Sequence, residues 1–343
     1  MSDLQGEMKR VKAKVDELIL RQLLPKSSPI REVDLLYKMM RDYPSRQAKG
    51  MRPFLCVTTC KAAGGTEDDA ILTAASIELF QNWILIHDDI EDASELRRGE
   101  PALHKKYSEA LAINAGDALH ARMWEALLGN KKSLGTEKTV AVMNEVSQMV
   151  NQTTEGQHME LGWTKAKRWD LNERDYYEMC TRKTSWYTIA SPCRLGAIIA
   201  GASREALDQL REFGMVLGVA FQIQDDSLNL VGDQKKYGKS KSDDILEGKR
   251  TLILLHLLES AGQTERERII SIMNKERGAK TPSDVSYVMS MVDKYDAVGY
   301  ARKRAAELLK QALSTLKGVS WSGNRESVEM LSSFARFAVE REW

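Results

Sequence analysis

The 343-residue sequence has little proline, little glycine and almost no net charge. Its 22 glycines and 7 prolines make up about 8% of the chain, against roughly 12% in average proteins. So few turn-forming residues argue against a β-sandwich, a β-barrel or a disordered chain, and favour long helices. The 50 basic and 49 acidic side chains leave a net charge of +1. This balance excludes a generally basic nucleic-acid-binding protein and an acidic tail protein.

Cysteines and long apolar runs are also scarce. The four cysteines (Cys56, Cys60, Cys180 and Cys193) are too few for a disulfide scaffold and form no Cys-x-x-Cys motif, so we expect buried, reduced thiols. No apolar run reaches the roughly 18 residues that a transmembrane helix requires. The N-terminus is charged from Asp3 onward and has no signal-peptide core. We therefore expect a soluble cytoplasmic protein without a transmembrane segment.

Helical periodicity is present almost everywhere else, and the alternation typical of strands is almost absent. Helices are predicted near residues 2–24, 28–43, 50–63, 67–92, 103–129, 136–165, 172–202, 203–231, 250–261, 264–276, 283–317 and 323–341. Thr281-Pro282-Ser283-Asp284 is a typical helix start, and Gly232 to Gly248 is the one long polar loop. No period of 20–50 residues repeats and no linker is evident. The sequence thus predicts a single all-α domain over residues 1–343.

Two of the predicted apolar helices carry an acidic cluster at the C-terminal end. The clusters read His87-Asp88-Asp89-Ile90-Glu91-Asp92 and Gln222-Ile223-Gln224-Asp225-Asp226-Ser227-Leu228-Asn229. Asp88 and Asp92 share one helix face, where like charges four residues apart destabilise a helix by a few tenths of a kcal/mol. The helix dipole also disfavours carboxylates at a C-terminus. Two such clusters predict bound cations, and their oxygen ligands match Mg²⁺.

Basic residues accompany both clusters. They are Lys49, Arg52, Arg97, Arg98, Lys239, Lys241 and Lys249. Protein-bound Mg²⁺ is usually completed by phosphate oxygens and water, and Lys and Arg are the side chains that bind phosphate. The combination predicts a site for a polyphosphate–metal complex.

Taken together, these motifs resemble those of the trans-isoprenyl diphosphate synthases, or polyprenyl synthetases, and in particular the archaeal-type geranylgeranyl and farnesyl diphosphate synthases. The matching motifs are Lys49-x-x-Arg52-Pro53, Asp88-Asp89-x-x-Asp92 with Arg97-Arg98-Gly99, Gly156-Gln157, Lys183-Thr184, Phe221-Gln222-Ile223-x-Asp225-Asp226, and Gly238-Lys239 through Asp244-Ile245 to Thr251. They cover about two thirds of the chain. The resemblance implies one bundle of long antiparallel helices around a central apolar cavity.

The resemblance also implies roles for individual residues. The metal ligands, for three Mg²⁺ ions, would be Asp88, Asp89, Asp92, Asp225 and Asp226. The allylic diphosphate would be held by Arg97, Lys183, Lys239 and Lys249. Isopentenyl diphosphate would be held by Lys49, Arg52, Gln81 and Arg98. Thr184 and Gln222 would lie beside the reacting carbons.

The implied reaction is ionisation of an allylic diphosphate, attack by the double bond of isopentenyl diphosphate, and loss of a proton. His87 could be read as the base, but in this family the departing diphosphate is the expected base. Two residues depart from the family pattern. Asn229 stands where Asp is usual, which would weaken the third metal site, and Glu160 replaces an Asp and lengthens its reach by one methylene.

Product length in this family is set by bulky residues before the first aspartate, which form the floor of an apolar tunnel. The candidates here are Phe80, Trp83 and Ile84. Helical spacing favours Ile84 and Phe80, because both lie closer in angle to Asp88, whereas the resemblance and side-chain size favour Trp83. We expect geranylgeranyl diphosphate as the product, with farnesyl diphosphate as the alternative.

Two rival functions use similar features. A class I terpene cyclase also has a DDxxD motif and Mg²⁺, but residues Asp225 to Asp233 do not supply its second metal motif. A regulatory subunit without activity is supported only by Asn229. The resemblance further implies a homodimer, and nothing in the sequence indicates a nucleic-acid partner.

Overall fold

The computed structural model describes residues 2–232 and 242–341. The helices are α1 (Ser2–Leu18), continued by a π-helical turn (Ile19–Leu23), α2 (Arg31–Ser45), α3 (Met51–Ala62), α4 (Glu67–Glu91), α5 (Leu103–Lys106), α6 (Glu109–Gly129), α7 (Lys131–Lys165), α8 (Glu173–Cys180), α9 (Ser191–Ala200), α10 (Arg204–Val231), α11 (Asp243–Glu247), α12 (Leu252–Ser260), α13 (Gln263–Met273), α14 (Pro282–Lys294), α15 (Ala297–Gly318) and α16 (Arg325–Glu340). A longer π-helical segment spans Thr181–Ala190, and a 3₁₀ turn spans Arg277–Ala279. Two short strands, β1 (Leu96–Arg97) and β2 (Glu100–Pro101), pair antiparallel. The fold is therefore all-α, as the periodicity predicts.

The chain forms two compact units, each assembled from separate stretches. The first comprises Met1–Gln148, Ser191–Arg211 and Gly318–Phe334, and the second comprises Met149–Ala190, Glu212–Lys317 and the residues from Ala335 onward. In the first unit, α4 packs against α6, and α3 packs against α4 and α9. In the second unit, α8 contacts the π-helical segment and α12, and α14 contacts α11, α12 and α13. A single domain over residues 1–343 stays a prediction.

Helix starts follow local side-chain chemistry. The backbone N–H of Asp69 donates to Thr66 Oγ1 (3.2 Å) while that of Thr66 donates to Asp69 Oδ2 (3.1 Å), a capping box that begins α4. The same arrangement joins Thr281 and Asp284 at the start of α14. These reciprocal bonds satisfy N–H groups that have no partner inside the helix. The predicted helix start at Thr281 is confirmed.

Several predicted boundaries are wrong in detail. The predicted helix 103–129 breaks at Tyr107 (φ −126°, ψ −94°), after which the Ser108 hydroxyl caps α6 by accepting from the N–H of Leu111. The predicted helix 283–317 is α14 and α15, separated where Asp296 takes a positive φ of 45°. The predicted loop from Gly232 to Gly248 contains α11. Each difference is a local change of backbone conformation, which hydrophobic periodicity does not encode.

The predicted helix 172–202 is interrupted by the π-helical segment, against which α10 lies very close. A Cβ atom at Gly218 would lie 2.3 Å from Ser185 Oγ, and one at Gly214 would lie 2.3 Å from the Cα of Ala190. The two glycines are four residues apart and so share one face of α10. They let the backbones approach closely, and this contact positions the residues of the π-helical segment.

All four cysteines are free and buried, as expected. Burial raises the pKa of the Cys56 and Cys193 thiols, which keeps them protonated and unreactive. Within residues 2–232 and 242–341, none of the helices has the length and apolar character needed to cross a lipid bilayer.

Candidate active site

The first acidic cluster is organised around the buried side chain of Asp89 in the last turn of α4. Asp89 is 0% exposed and accepts hydrogen bonds from Tyr43 Oη (2.5 Å) and from Arg97 Nε (2.8 Å). Tyr43 Oη in turn accepts from the N–H of Leu103 (3.1 Å). The neighbouring Asp88 side chain is 23% exposed. One aspartate is thus locked into the protein, and the other remains accessible to a ligand.

Arg97, on strand β1, pairs with both aspartates. Besides Asp89, its Nη2 atom lies 3.2 Å from Asp88 Oδ2. Burial alone would lower the pKa of Arg97, but the charges of Asp89 and Asp88 and the hydrogen bonds to Asp89 raise it well above its ordinary value. The guanidinium therefore stays charged beside the cluster. Its predicted role toward a diphosphate stays a prediction.

The buried side chain of Arg46 fixes the β1–β2 turn and is a residue that sequence reasoning missed. Its Nη1 donates to the carbonyl of Arg97 (2.7 Å), its Nη2 to that of Pro101 (2.9 Å), and its Nε to Asp42 Oδ1 (2.8 Å). The turn between the strands contains Arg98 and Gly99, both with positive φ (54° and 81°). Arg46 thereby places the predicted pair Arg97-Arg98.

Arg98 belongs to a concentration of guanidinium groups in the first unit. Its Nη1 donates to the carbonyl of Tyr43 (3.0 Å). Burial lowers the pKa of Arg98, and the nearby charge of Glu78 offsets this only in part. The pKa is lowered further by the charges of Arg97, Arg52 and Arg46. Such mutual repulsion between cations is what a bound diphosphate would relieve.

The predicted isopentenyl diphosphate residues Lys49 and Arg52 flank a backbone turn. Gly50 caps α3 with φ 64°, and a Cβ atom there would lie 2.7 Å from Lys12 Cβ. Pro53 occupies the first helical turn, where no intrahelical N–H bond is lost. Arg52 is buried and Lys49 is exposed. Close packing and the positive φ account for the glycine of the Lys-Gly-x-Arg-Pro pattern, and the position in the first turn accounts for the proline.

Gln81, the fourth predicted residue of this group, is buried on α4. Its Oε1 atom makes no hydrogen bond among the described residues. A buried amide oxygen without a partner costs free energy, so a ligand donor or water at this position would be stabilising.

The three candidate floor residues lie in different surroundings on α4. Trp83 is buried and stacks on His120 of α6, with ring centroids 3.9 Å apart and an interplanar angle of 13°. Phe80 is fully buried and meets the edge of Trp83 (5.5 Å, 76°). Ile84 is half-buried. A Cβ at Gly116 of α6 would come within 3.2 Å of Trp83 Cδ1, so α6 constrains this aromatic group closely.

The second acidic cluster repeats the arrangement of the first. Asp226 is buried and accepts hydrogen bonds from Tyr176 Oη (2.7 Å) and Gln222 Nε2 (2.7 Å). Burial raises the pKa of Asp226, while these two hydrogen bonds act in the opposite direction. The Asp225 side chain is 34% exposed. Again the second aspartate is tied to a tyrosine and the first is accessible.

Thr184 and Gln222 are hydrogen-bonded to each other, and their predicted place beside the reacting carbons stays a prediction. Thr184 Oγ1 donates to Gln222 Oε1 (2.8 Å), and Gln222 Nε2 donates in turn to Asp226 Oδ1 (2.7 Å). This chain of bonds fixes which way the Gln222 amide points. The pair therefore presents fixed dipoles of the kind that stabilise charge without covalent bonding.

Lys183 is placed by a close helix contact in the second unit. A Cβ at Gly156 of α7 would lie only 2.1 Å from the backbone nitrogen of Lys183, so only glycine fits there. The Lys183 ammonium forms an ion pair with Glu160. Glu160, one of the two residues that depart from the family pattern, is therefore the carboxylate partner of Lys183.

Asn229 contacts the start of the short helix α11, and Lys249 contacts its end. Asn229 is buried, and its Oδ1 accepts from the backbone N–H of Asp244 (3.2 Å) at the start of that helix. Lys249, just after the helix, pairs with Glu247 (2.8 Å). Asn229 thus has a backbone partner that sequence reasoning did not foresee. Lys239 and Lys241 lie outside the described residues.

Comparisons with known proteins agree with these motifs. The sequence profile described as polyprenyl synthetase matches residues 33–292. A short chain isoprenyl diphosphate synthase of Methanothermobacter thermautotrophicus is 37% identical over 86% of this chain and 86% of its own length. A geranylfarnesyl diphosphate synthase of Aeropyrum pernix is 33% identical over 85% of this chain and 90% of its own.

A solved structure covers nearly the whole chain. The geranylgeranyl pyrophosphate synthase of Corynebacterium glutamicum, complexed with isoprenyl diphosphate and magnesium, superimposes with a TM-score of 0.89 at 26% identity over 99% of both chains. The chain belongs to the polyprenyl synthetase family. It is an enzyme of that family, a short-chain trans-prenyl diphosphate synthase that transfers prenyl groups.

The accessible carboxylates of each unit suit magnesium ions that are shared with a substrate. Asp88 and Asp92 in the first unit and Asp225 in the second are partly accessible and offer hard oxygen donors. Among the described residues, no three His, Cys, Asp or Glu side chains form a group able to hold a metal by themselves. Mg²⁺ commonly relies on one or two carboxylates and completes its shell with phosphate and water. The donor set fits that mode of binding.

Proposed function

We propose that this enzyme condenses isopentenyl diphosphate head to tail with an allylic diphosphate (dimethylallyl, geranyl or farnesyl) in a Mg²⁺-dependent reaction that yields geranylgeranyl diphosphate. The observation that carries the proposal is the repeated acidic cluster. In each, a buried aspartate bonded to a tyrosine stands beside a partly exposed one. Mg²⁺, when bound with the substrate, would neutralise the leaving diphosphate. Three ions per site is part of the proposal.

The allylic diphosphate would be held by basic residues that now pair with carboxylates. Arg97 contacts Asp88 and Asp89, Lys183 contacts Glu160, and Lys249 contacts Glu247. Lys239 belongs to the same proposed group by sequence. Arg97, Lys183 and Lys249 would each exchange the carboxylate partner for phosphate oxygens when the substrate binds. Interactions that strengthen as charge develops on the leaving group are the ones that speed the reaction.

Thr184 and Gln222 would face the carbon that becomes positive when the allylic C–O bond breaks. The hydrogen bonds from Thr184 and to Asp226 hold the amide in one orientation. Oriented dipoles in a site that excludes water stabilise a developing charge without reorganisation. Isopentenyl diphosphate would bind at Lys49, Arg52, Gln81 and Arg98, and the departing diphosphate would accept the proton.

The twenty-carbon product is supported by the bulk and packing of Trp83. Its ring packs between Phe80 and His120. These contacts restrict its rotamer, so the ring would block a growing chain that reaches it. The relatives carry names of both twenty- and twenty-five-carbon synthases. Farnesyl diphosphate is the shorter alternative.

We further propose that the enzyme is a cytoplasmic homodimer. Support for the dimer comes from α6, which leaves the apolar side chains of Leu111, Ile113 and Leu128 exposed. Helical spacing places Ile113 and Leu128 within about 60° of each other on α6, and apolar side chains grouped on one exposed face are typical of a surface that binds a partner.

An assay of the purified protein with Mg²⁺, labelled isopentenyl diphosphate and each allylic primer tests this function. Elongated diphosphates, lost on adding a chelator, would support the proposal. A cyclised hydrocarbon would indicate a terpene cyclase, and no product would indicate a regulatory subunit. Asp88→Asn should reduce the rate at least 100-fold, whereas Asp68→Asn, an exposed aspartate at the other end of the same helix, should not.

A further inference from the structure

Arg341, which directly follows α16, contacts the partly exposed aspartate of the second acidic cluster. Its Nη2 donates to Asp225 Oδ1 at 2.7 Å. The Arg341 side chain is only 4% exposed. Both residues belong to the second unit. A cation of the protein itself therefore occupies an oxygen of a proposed metal ligand.

Three residues of one helix hold Arg341 in place, so the ion pair with Asp225 does not depend on a single flexible side chain. The Arg341 guanidinium lies over the ring of Phe221, 4.2 Å from its centroid, an arrangement that is favourable for a cation. Gln224 Nε2 donates to the backbone carbonyl of Arg341 (2.6 Å), and Gln224 is itself buried. Phe221, Gln224 and Asp225 all lie on α10, so one helix holds the backbone, the ring contact and the charge of Arg341.

The Arg341 guanidinium does not use all of its hydrogen-bond donors. Its Nε atom is buried and makes no hydrogen bond among the described residues. A guanidinium that served only to anchor α16 would be expected to use its donors more fully. Placing a charge beside Asp225 at the expense of a buried donor points to an effect on that carboxylate.

We propose that Arg341 is a positioning residue that sets the divalent-cation affinity of Asp225. It neutralises the carboxylate when no metal is present, and a metal ion must compete with it for Oδ1. The inference rests on the proposed role of Asp225 as a metal ligand. Its consequence is that this second cluster binds a divalent cation weakly by itself, and binding becomes favourable when a diphosphate contributes further oxygens.

The size of the effect follows from the charge that is removed. A guanidinium that pairs with a carboxylate lowers the affinity of that carboxylate for a second cation, because the two cations compete for the same negative charge. The Asp225 side chain is 34% exposed, so solvent screens part of this competition and keeps the effect on a metal ion modest. We expect about tenfold tighter binding once the guanidinium is gone.

The experiment measures Mn²⁺ binding to the full chain by electron paramagnetic resonance, with no diphosphate present. Arg341→Met keeps the apolar stem over Phe221 and removes the charge, and should tighten binding about tenfold. Arg341→Lys keeps the charge and should stay within about threefold of the unchanged protein. The matched control is Arg336→Met, which removes the same charge from an exposed position on α16 and should change nothing. Circular dichroism establishes that each variant is folded.

A second series separates this inference from the function on which it rests. If Asp225→Asn weakens Mn²⁺ binding while Arg341→Met leaves it unchanged or weaker, Asp225 is a ligand and the inference about Arg341 is wrong. If Asp225→Asn has no effect on Mn²⁺, the proposed metal role of Asp225 fails first. The inference requires that Arg341→Met has no effect in the Asp225→Asn background, because the arginine acts through that carboxylate.

Discussion

Each acidic cluster combines a fixed aspartate with an accessible one. Asp89 and Asp226 are buried and bonded to tyrosines, while Asp88 and Asp225 are partly exposed. A buried carboxylate is stable only if its oxygens are hydrogen-bonded. The fixed aspartate therefore determines how the last turn of the helix presents its neighbour.

Removing the tyrosine hydroxyl at the first cluster should weaken the fold. Tyr43→Phe deletes the donor to Asp89 and the acceptor for the N–H of Leu103. A hydrogen bond to a buried charge contributes about 1.5–3 kcal/mol, so the free energy of unfolding should fall by about 2 kcal/mol. Urea denaturation measures this. Tyr37→Phe, at a half-buried position of the same helix, should lie within about 0.5 kcal/mol of the unchanged protein. Equal effects of the two changes would contradict the assignment.

Trimming the aromatic floor should lengthen the product. Trp83→Ala removes the ring that packs between Phe80 and His120, and we expect products beyond twenty carbons, more so in the double variant with Phe80→Ala. Chromatography of the dephosphorylated products measures chain length. Ile84→Ala tests the alternative that helical spacing favours. A longer product from Ile84→Ala alone would place the floor at Ile84, and unchanged length in the Trp83 and Phe80 variants would remove both from it.

Single residues also show where sequence reasoning reached its limit. The motifs single out Asp89, Thr184 and Gln222, and the structure adds which side chains each of them bonds to. Tyr43 and Arg46 were not predicted, because their partners Asp89 and Arg97 lie 46 and 51 residues away. A tyrosine in an amphipathic helix has no local feature that distinguishes a hydrogen-bonding role from plain packing.

At the level of helices, hydrophobic periodicity and capping predicted most elements. Periodicity predicts an ordinary helix over the π-helical segment Thr181–Ala190, because its side chains keep a helical pattern. The segment packs closely against α10 at Gly214 and Gly218, a tertiary contact that a local sequence pattern does not encode. The segment carries Lys183 and Thr184, in keeping with the frequent use of π-helical turns at functional sites.

The contact between α7 and this segment can be tested with two glycines of one helix. Gly156→Ala would bring a methyl group within 2.1 Å of the Lys183 backbone nitrogen, so the segment must shift. We expect a fall in kcat of at least 100-fold, because small displacements of catalytic groups are costly. Gly162→Ala is the matched control, since nothing lies within 4 Å of its Cβ. It should leave kcat unchanged and increase stability slightly. An active Gly156→Ala enzyme would contradict the assignment.

The first turn of α4 should contribute stability that depends on pH. Hydrogen bonds from Arg10 and Lys14 of α1 hold the pKa of Glu67 at about 2, below its ordinary value of 4.5. A carboxylate with a lowered pKa stabilises the fold above pH 4.5 and loses that contribution as the pH falls toward 2. Glu67→Gln should therefore cost about 1 kcal/mol at pH 7, allowing for solvent screening.

Urea denaturation at pH 7, 5, 4 and 3 measures this difference. The gap between Glu67→Gln and the unchanged protein should narrow steadily below pH 4.5. Asp68→Asn removes an exposed carboxylate from the same turn and controls for the helix dipole. A gap that stays constant with pH would show that the ion pairs do not stabilise the fold.

At the scale of the whole molecule, the near-zero net charge reflects pairing as well as a solvated surface. Asp89 pairs with Arg97, Glu160 with Lys183, and Asp225 with Arg341. Each pair joins a candidate site residue to an opposite charge. Substrate diphosphate and metal would bring further charges of both signs, so each of these pairs could exchange its internal partner for an external one without a large change in net charge.

The homodimer is the prediction that concerns the whole molecule. Ile113 and Leu128 are exposed on α6 and lie about four helical turns apart. Burying each of these side chains in an interface contributes about 2 kcal/mol. A glutamate in the same place would bury an unpaired carboxylate and oppose association. Sedimentation velocity should show twice the 38.7 kDa mass of one chain. Ile113→Glu with Leu128→Glu should shift this toward the monomer, whereas Ile30→Glu, at an exposed position off α6, should not. A monomeric unchanged protein, or a double variant that remains dimeric while folded by circular dichroism, would remove α6 from the interface.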